Sequence, residues 1–301
     1  MPGIARAEGL TKSYTDTTVV NKVSFTVNAG EIVVLVGPNG SGKTTTMEML
    51  VGLRRPSAGT ATISGIPVRP GGPHRLKVGV QLQQSGLPHR LRVGEALRSV
   101  GSLYRDPEDP RAILKAVGLE GTWRSSVDRI SGGQQRRLDV GLACMGRPDL
   151  LVLDEPTSGL DPEGRSELWQ LLRSMAGLRR GIFASTHDLN EAEGYADRVL
   201  VMKNGRIVLS GGVRDVLASF GGAWRLRILT THPGIAGVLD RSKLRYVVSG
   251  AVMVSVGSET ECEAVRARLF ADGLVTPTSV FSGPIRLEDL FLFIDESTVI
   301  P

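Results

Sequence analysis

The residues best suited to chemistry form a glycine-rich loop between an apolar run and a helical stretch. The loop, Gly37-Pro-Asn-Gly-Ser-Gly-Lys43-Thr44, satisfies the pattern GxxxxGK[ST]. Its glycines let the backbone wrap a phosphate, and the N–H groups at the start of the helix hold the anion. A glycine-rich turn without a ligand is the simpler alternative. The predicted nucleotide-binding residues are Gly37, Pro38, Asn39, Gly40, Ser41, Gly42, Lys43, Thr44 and Thr45.

Two of these side chains have predicted roles with the phosphates. Lys43 is placed to reach the β- and γ-phosphates of a nucleotide, and the Thr44 hydroxyl to ligate Mg²⁺. An acidic pair, Asp154 and Glu155, follows the aliphatic run Leu150 to Leu153. Ligands of α/β folds bind at the carboxyl edge of a parallel sheet, where such a run would end. Asp154 is predicted to hold Mg²⁺ and Glu155 to polarise the attacking water, although many strands end in an acid that only caps a helix.

A further loop opens a helical stretch rich in arginine and consists of Ser131, Gly132, Gly133 and Gln134. A serine and two glycines at a helix start are a second phosphate-binding design, and one nucleotide cannot easily occupy both loops of one chain. With these motifs in this order, residues 4 to 218 resemble the ATPase family of ABC transporters. In that family this signature loop grips the ATP bound to the opposite subunit. Ile130 stands where the signature usually has leucine, an apolar exchange that should leave the loop intact.

The resemblance implies roles for three further residues. Tyr14 matches the aromatic that stacks on adenine, and His187 matches the switch histidine that contacts the γ-phosphate. Asp161 ends Ser158-Gly-Leu-Asp161, which matches the D-loop between subunits. Tyr14 has a simpler interpretation as a packed strand aromatic, and His187 as an ordinary loop histidine.

A glutamine in the family touches Mg²⁺ or water and senses the membrane partner. Gln81, Gln83 and Gln84 crowd together at the matching place. Family spacing alone selects Gln83 as both a catalytic and a metal-contacting residue, so the other two stay open as alternatives. With Glu155 and His187 also present, the resemblance implies a competent hydrolytic site.

The elements that must position these residues alternate between strands and helices. Apolar runs at 32–36, 150–153 and 181–185 predict buried strands, each followed by a helical stretch, which implies a largely parallel sheet. Asn204-Gly205 between two β segments predicts a hairpin on a type I′ turn. Together with the resemblance, these signals predict an α/β P-loop NTPase fold of the RecA-like ABC type. An antiparallel β layer near the N-terminus and a helical subdomain at about 84–146 would complete it.

A second domain is predicted after the glycine pair Gly221-Gly222. The residues that follow show strand and helix signals in the order βαββαβ, with the last strand at 275–282 and a helix at 286–294. The predicted division is an ABC nucleotide-binding domain at 1–221 and a small accessory α+β domain at 222–301. Every nucleotide motif precedes the second domain, so we expect that domain to regulate or stabilise a dimer.

The composition bears on three further questions, namely the nature of the surface, the role of the cysteines and the presence of a membrane span. The formal net charge of +5 comes mainly from scattered arginines, which favours a solvated surface over a basic face for anionic lipid or nucleic acid. Cys144 and Cys262 lie far apart, which favours neither a disulfide framework nor a zinc site and fits a reducing cytosol. The longest aliphatic run, Ile32 to Val36, is far shorter than the roughly 20 residues of a membrane span.

The sequence therefore predicts an ATPase that uses ATP and Mg²⁺ and pairs with a second copy of itself. The resemblance implies a separately encoded transmembrane permease as its other partner and places the chain at the inner face of the cell membrane. No nucleic acid is expected. The tail from Arg286 to Phe293 is similar to that of antibiotic- and drug-exporting ABC ATPases of the daunorubicin-resistance type, which implies export.

Three other classes of protein fit the sequence less well. A soluble ABC ATPase acting on ribosomes or DNA usually has two fused cassettes or long coiled coils, whereas this chain has one phosphate-binding loop, one signature and no heptad run. A plain P-loop kinase would have no use for the signature or the D-loop. A non-hydrolysing binding module would not need Glu155 and His187.

Overall fold

Two units make up the chain by its internal contacts, Met1–Ser210 and Gly211–Pro301. The computed structural model describes residues 3–15, 17–82, 86–88, 90–177, 180–219, 224–229 and 232–295. The predicted domain boundary between residues 221 and 222 falls outside these residues and stays a prediction. No helix in the described ranges combines the length and the apolar character that a membrane crossing requires.

The first unit contains two sheets and six α-helices among its described residues. Its strands are β1 (Ala5–Tyr14), β2 (Thr17–Val27), β3 (Ile32–Val36), β4 (Ala58–Ile63), β5 (Ile66–Pro67), β6 (Val78–Gln81), β7 (Leu150–Leu153), β8 (Gly181–Thr186), β9 (Arg198–Lys203) and β10 (Arg206–Gly212), the last two residues of which belong to the second unit. Its helices are α1 (Lys43–Leu50), α2 (Val93–Gly101), α3 (Pro110–Ala116), α4 (Gly132–Cys144), α5 (Pro162–Ala176) and α6 (Leu189–Tyr195).

The larger sheet has six strands in the order β10-β9-β3-β8-β7-β6. β3 pairs in parallel with β8 and β9, and β7 pairs in parallel with β6 and β8. Every residue of β3, β7 and β8 is buried, as expected for strands covered on both faces. The carboxyl ends of these three strands therefore lie at one edge, and the predicted α/β fold is confirmed.

An antiparallel layer of four strands, in the order β2-β1-β4-β5, packs against this core. In β1 the buried residues Ala5 and Ala7 lie on one face, because side chains of a strand point alternately to its two faces, and they share the core with Phe25 of β2. A register shift between Ala7 and Leu10 brings Leu10 into the same core. The Phe25 ring stacks on Phe183 of β8, with 4.7 Å between the ring centroids. This contact joins the layer to the central sheet.

The predicted hairpin is present between β9 and β10. Asn204 and Gly205 have φ angles of 47° and 76°, the positive values that a type I′ turn requires. Between β6 and β7 the described residues form α2, α3 and α4, and α4 packs against β6. This helical region is the part of the chain where the helical subdomain was predicted.

The second unit has the predicted order βαββαβ. Its elements are α7 (Val213–Ala218), β11 (Trp224–Leu229), α8 (Gly234–Ser242), β12 (Arg245–Ser249), β13 (Val252–Gly257), α9 (Glu259–Ala271), β14 (Val280–Pro284) and α10 (Leu287–Asp295). The sheet is antiparallel, with the strand order β12-β13-β11-β14. Leu226 and Ile228 of β11 are fully buried in a core with Ile235 and Leu239 of α8 and Leu269 of α9.

One predicted strand begins later than the sequence pattern indicated. The last strand was predicted at 275–282, but β14 begins at Val280. Residues 276–279 instead form a turn, in which the Ser279 N–H donates to the Thr276 carbonyl at 3.0 Å. The Ser279 hydroxyl accepts from the Thr276 N–H at 2.9 Å. These local hydrogen bonds compete with the ladder of a strand.

A buried ion pair holds α10 on the second unit's sheet. Arg225 alternates along β11 with the core residue Leu226, so Arg225 lies on the face opposite α8 and α9. Its Nη1 donates to Asp289 Oδ2 at 2.5 Å, and the Asp289 side chain is 0% exposed. Burial raises the pKa of Asp289, while the hydrogen bond and charge of Arg225 act in the opposite direction. The charged pair therefore offsets part of the cost of burying this carboxylate.

We predict that Asp289→Ala destabilises the second unit by roughly 3 kcal/mol, because Arg225 loses its fully buried partner and keeps only the partly exposed Glu288, at 3.1 Å. Hydrogen exchange of the β11 amides should speed up accordingly. The matched control is Asp272→Ala, which removes an exposed pair with Arg268 and should cost less than about 1 kcal/mol. Equal exchange rates in the two variants would contradict the stabilising role of the Asp289 pair.

Candidate active site

The phosphate-binding loop connects β3 to α1, and its shape depends on two glycines. Gly42 has a φ of 104°, and a Cβ atom there would lie 2.8 Å from the Val19 carbonyl oxygen. A Cβ atom at Gly37 would lie 2.3 Å from the Met202 carbonyl oxygen. Side chains at these positions would therefore push the loop away from the neighbouring strands.

A pocket lies over this loop. It has a volume of about 350 Å³ and is lined by Val19, Asn39, Gly40, Gly42, Lys43, Thr44, Thr45 and Glu155. The structure thus brings Glu155 together with most of the predicted loop residues, although 110 positions separate it from Thr45 in the chain. Neither Tyr14 nor the signature loop is among the residues that line it.

The Lys43 ammonium is buried and folded back onto the loop. Its Nζ donates to the carbonyl oxygens of Gly37 at 2.7 Å and Pro38 at 3.2 Å. Burial lowers the pKa of Lys43, while the nearby carboxylates of Glu155 and Asp154 act to raise it. A buried cation of this kind gains from an anionic ligand, which suits a phosphate group.

A chain of hydrogen bonds links the start of α1 to the ends of β7 and β8. The Thr44 hydroxyl donates to Asp154 Oδ2 at 2.8 Å. The Ser185 hydroxyl donates to Asp154 Oδ1 at 2.5 Å and accepts from the Glu155 N–H at 2.9 Å. Asp154 is only 3% exposed, so these partners fix both of its oxygens.

Glu155 has an unusual backbone conformation. Its φ is 47°, in the left-handed region that residues other than glycine rarely adopt. Backbone strain of this kind is often found at active sites, where the surrounding structure maintains it. Its Oε1 lies 3.4 Å from Nδ1 of His187, which follows β8 directly. The carboxylate and the imidazole predicted to act in hydrolysis are therefore neighbours.

The signature residues lie at the start of α4. The Ser131 hydroxyl accepts from the Gln134 N–H at 3.2 Å, and Gln134 Oε1 accepts from the Ser131 N–H at 3.0 Å. This reciprocal pair is a capping box. Ser131 and Gly132 are exposed and Gly133 is half-buried, so the start of the helix is open to an incoming group.

Two other predicted residues have local partners in the structure. Asp161 caps α5 by accepting from the Gly164 N–H at 2.9 Å. Tyr14 is 40% exposed, and its hydroxyl accepts a hydrogen bond from Arg54, which also pairs with Glu48. The predicted roles of Asp161 between subunits and of Tyr14 under adenine stay predictions.

Of the three candidate glutamines, Gln81 is the one that the structure describes. It ends β6, is 4% exposed, and donates through Nε2 to the Leu82 carbonyl at 2.8 Å. Its backbone carbonyl accepts from the Asp154 N–H at 2.9 Å. Gln83 and Gln84 lie outside the described residues, so the predicted role of Gln83 stays a prediction.

Ser185 is a site residue that the sequence analysis missed. It was assigned only to a strand, although a serine and a threonine end this otherwise apolar run. Polar residues at the carboxyl end of a buried parallel strand are a signal for the ligand-binding edge. Here the hydroxyl is fully buried and orients both residues of the acidic pair.

The residues present fit ATP and Mg²⁺. Thr44 and Asp154 offer a hydroxyl and a carboxylate oxygen 2.8 Å apart, the hard oxygen donors that Mg²⁺ prefers. Among the described residues no group of three or more His, Cys, Asp or Glu side chains could hold a metal ion. Mg²⁺ commonly uses one or two protein ligands together with substrate phosphates, so this is consistent with a nucleotide site.

Comparisons with known proteins agree with this geometry. The profile of the family described as "ABC transporter" matches residues 20–158. The "Nod factor export ATP-binding protein I" of Burkholderia lata is 37% identical over 288 residues, covering 93% of this chain and 93% of that protein.

Two solved structures extend the comparison. The structure of an ATP-binding subunit of an ABC transporter is 30% identical, with a TM-score of 0.65, and the match covers 72% of this chain and 93% of that one. The dimeric structure of a bacterial ABC transporter cassette is 24% identical in sequence, with a TM-score of 0.63. The match covers 70% of this chain and 99% of that chain, and the two share the fold. The chain therefore belongs to the family of ABC transporter ATP-binding subunits and is an ATPase of that family.

Proposed function

We propose that two copies of this chain close head to tail around two ATP molecules and thereby drive a separately encoded membrane permease. The observation that carries the proposal is the separation of two phosphate-binding features within one chain. The pocket over the phosphate-binding loop contains no signature residue, and the signature loop opens at an exposed helix start. A nucleotide between two chains would contact both features.

The partial positive charge at the start of α4 supports a contact between the signature residues and a phosphate. The N–H groups at the start of a helix carry partial positive charge and attract anions. α4 has 13 residues, and its start carries a serine, two glycines and no acidic residue in the first turn. In our proposal Ser131, Gly133 and Gln134 of one chain contact the γ-phosphate bound by Lys43 of the other.

In this proposal, different residues of the chain have separate roles in ATP hydrolysis. Thr44 and Asp154 would hold Mg²⁺, which neutralises charge on the phosphates when bound. Glu155 orients the attacking water and accepts its proton, and His187 contacts the γ-phosphate. Gln83 senses the permease and Tyr14 contacts adenine, as the resemblance implies.

We further propose that the direction of transport is export. The relative from Burkholderia lata is named for Nod factor export, and this chain spans 93% of its length. The more specific proposal, a drug or antibiotic as cargo, rests on the similarity of the tail to daunorubicin-type exporters. The permease would hold the chain at the inner face of the membrane.

The first test separates binding from hydrolysis. We predict that Glu155→Gln binds ATP, forms a dimer with it and hydrolyses it very slowly, because the amide keeps the side chain's size and lacks its basicity. Size-exclusion chromatography with light scattering should show a dimer with ATP and a monomer without it. Adding Ser131→Arg should abolish the dimer, since a bulky cation would enter the γ-phosphate contact while each Lys43 loop stays whole.

Either of two outcomes would contradict the proposal that each ATP is bound between two chains. One is an oligomeric state of Glu155→Gln that does not depend on ATP. The other is a double variant that dimerises as well as Glu155→Gln. Both would place hydrolysis within a single chain.

The permease proposal predicts a partner-dependent location. The chain should sediment with membranes when the permease encoded beside it is co-expressed, and it should stay in the supernatant when that permease is deleted. Quantitative immunoblotting of the two fractions measures the distribution. Membrane association that is unchanged by the deletion would instead indicate direct lipid binding and overturn the proposal.

A further inference from the structure

A buried glutamate outside the phosphate pocket connects two parts of the catalytic machinery. Glu191 of α6 is 6% exposed. Its Oε2 accepts one hydrogen bond from the Thr157 hydroxyl at 2.8 Å and another from the Thr186 hydroxyl at 2.9 Å. Both threonines are buried as well, so water cannot replace Glu191 as their partner without rearrangement.

The two threonines belong to the segments that carry the proposed water-orienting and phosphate-sensing residues. Thr157 lies two residues after Glu155, and Thr186 directly precedes His187. Thr186 Oγ1 also accepts from the Asp188 N–H at 3.0 Å, which fixes the backbone on the other side of the histidine. Glu191 therefore ties together the two segments whose side chains approach to 3.4 Å.

An arginine extends this link to the segment that precedes α5. Arg165 donates through Nε to the Leu160 carbonyl at 2.9 Å and through Nη1 to Asp188 Oδ2 at 3.1 Å. Its Nη1 also lies 3.8 Å from Glu191 Oε1. Leu160 is part of the segment predicted to be the D-loop, so that segment is tied to the histidine as well. We call Glu191, Thr157, Thr186, Arg165 and Asp188 the Glu191 cluster.

The cluster borders the catalytic pair. A cavity of about 100 Å³ is lined by Thr157, Arg165, Thr186, Asp188 and Glu191 of the cluster and by Glu155 and His187, among others. A buried carboxylate is costly unless it is paired and hydrogen-bonded, and here one oxygen serves two hydroxyls while the other faces a guanidinium. A movement of His187 would therefore disturb bonds that also hold the Leu160 segment.

We propose that Glu191 is a positioning residue for ATP hydrolysis, which sets the geometry of Glu155 against His187 and couples it to the D-loop segment. The inference rests on the ATPase activity of the chain and on the proposed roles of this pair. Glu191 does not reach the phosphate pocket, so it acts through the backbone next to each of the two residues.

The test begins with Glu191→Gln in the purified full-length protein. The amide cannot keep both hydroxyl bonds and the contact with Arg165, so kcat should fall about tenfold, as expected when catalytic groups are displaced by part of an ångström. The KM for ATP should change less than about twofold, because the phosphate-binding loop is untouched. The control is Glu163→Gln, the same change at an exposed position of α5, which should leave kcat as in the wild type.

Substitutions of the threonine distinguish positioning from packing. Thr186→Val keeps the shape and removes the hydroxyl, whereas Thr186→Ser keeps the hydroxyl and removes a methyl group. Positioning through Glu191 predicts that the serine variant retains kcat and the valine variant loses it, and a packing role predicts the reverse. These variants also test the proposal if Glu191→Gln does not fold.

The possible failures are distinguishable. Two results would overturn the proposed role of Glu191 without affecting the assignment of the chain as an ATPase. One is a wild-type kcat in Glu191→Gln, and the other is a Thr186→Val variant as active as Thr186→Ser. Absence of hydrolysis in the wild-type protein and in Glu163→Gln alike would instead contradict the proposed catalytic pair itself.

Discussion

The parallel pairing of β3, β7 and β8 is the constraint on which the site depends. Because neighbouring parallel strands end at the same edge, Thr44, Asp154 and His187 converge, although more than 140 residues separate the first from the last. Ser185 completes this edge by bonding both Asp154 and the Glu155 N–H. The register of three buried strands thus fixes where phosphate, metal and water would meet.

Burial makes the charges of this edge interdependent. Lys43 is 6% exposed and Asp154 is 3% exposed, so neither charge is solvated by bulk water. Both groups instead form hydrogen bonds with fixed partners. The Lys43 ammonium donates to carbonyl oxygens of the loop, and the Asp154 carboxylate accepts from two hydroxyls. A preorganised polar site of this kind stabilises developing charge without reorganising in each cycle.

Much of this could be predicted from the sequence, because the motifs and the strands that carry them are local in the chain. The apolar runs ending at Val36 and Leu153 match β3 and β7, and the glycine spacing before Lys43 predicted the loop. Ser185 and Glu191 could not be recognised in this way. Their partners Asp154 and Thr157 lie 31 and 34 positions away, and a serine in a strand or a glutamate in a short helix forms no pattern.

The central claim, that one functional site is assembled from two chains, is tested most directly by mixing two inactive variants. Lys43→Ala lacks the phosphate contact and Ser131→Arg lacks the signature contact, so neither should hydrolyse ATP alone. In a mixed dimer, one site combines the intact Lys43 loop of one chain with the intact signature of the other. Half of the dimers in an equimolar mixture should be mixed, each with one working site, which predicts about a quarter of the wild-type rate. A mixture no more active than its separate components would contradict the claim.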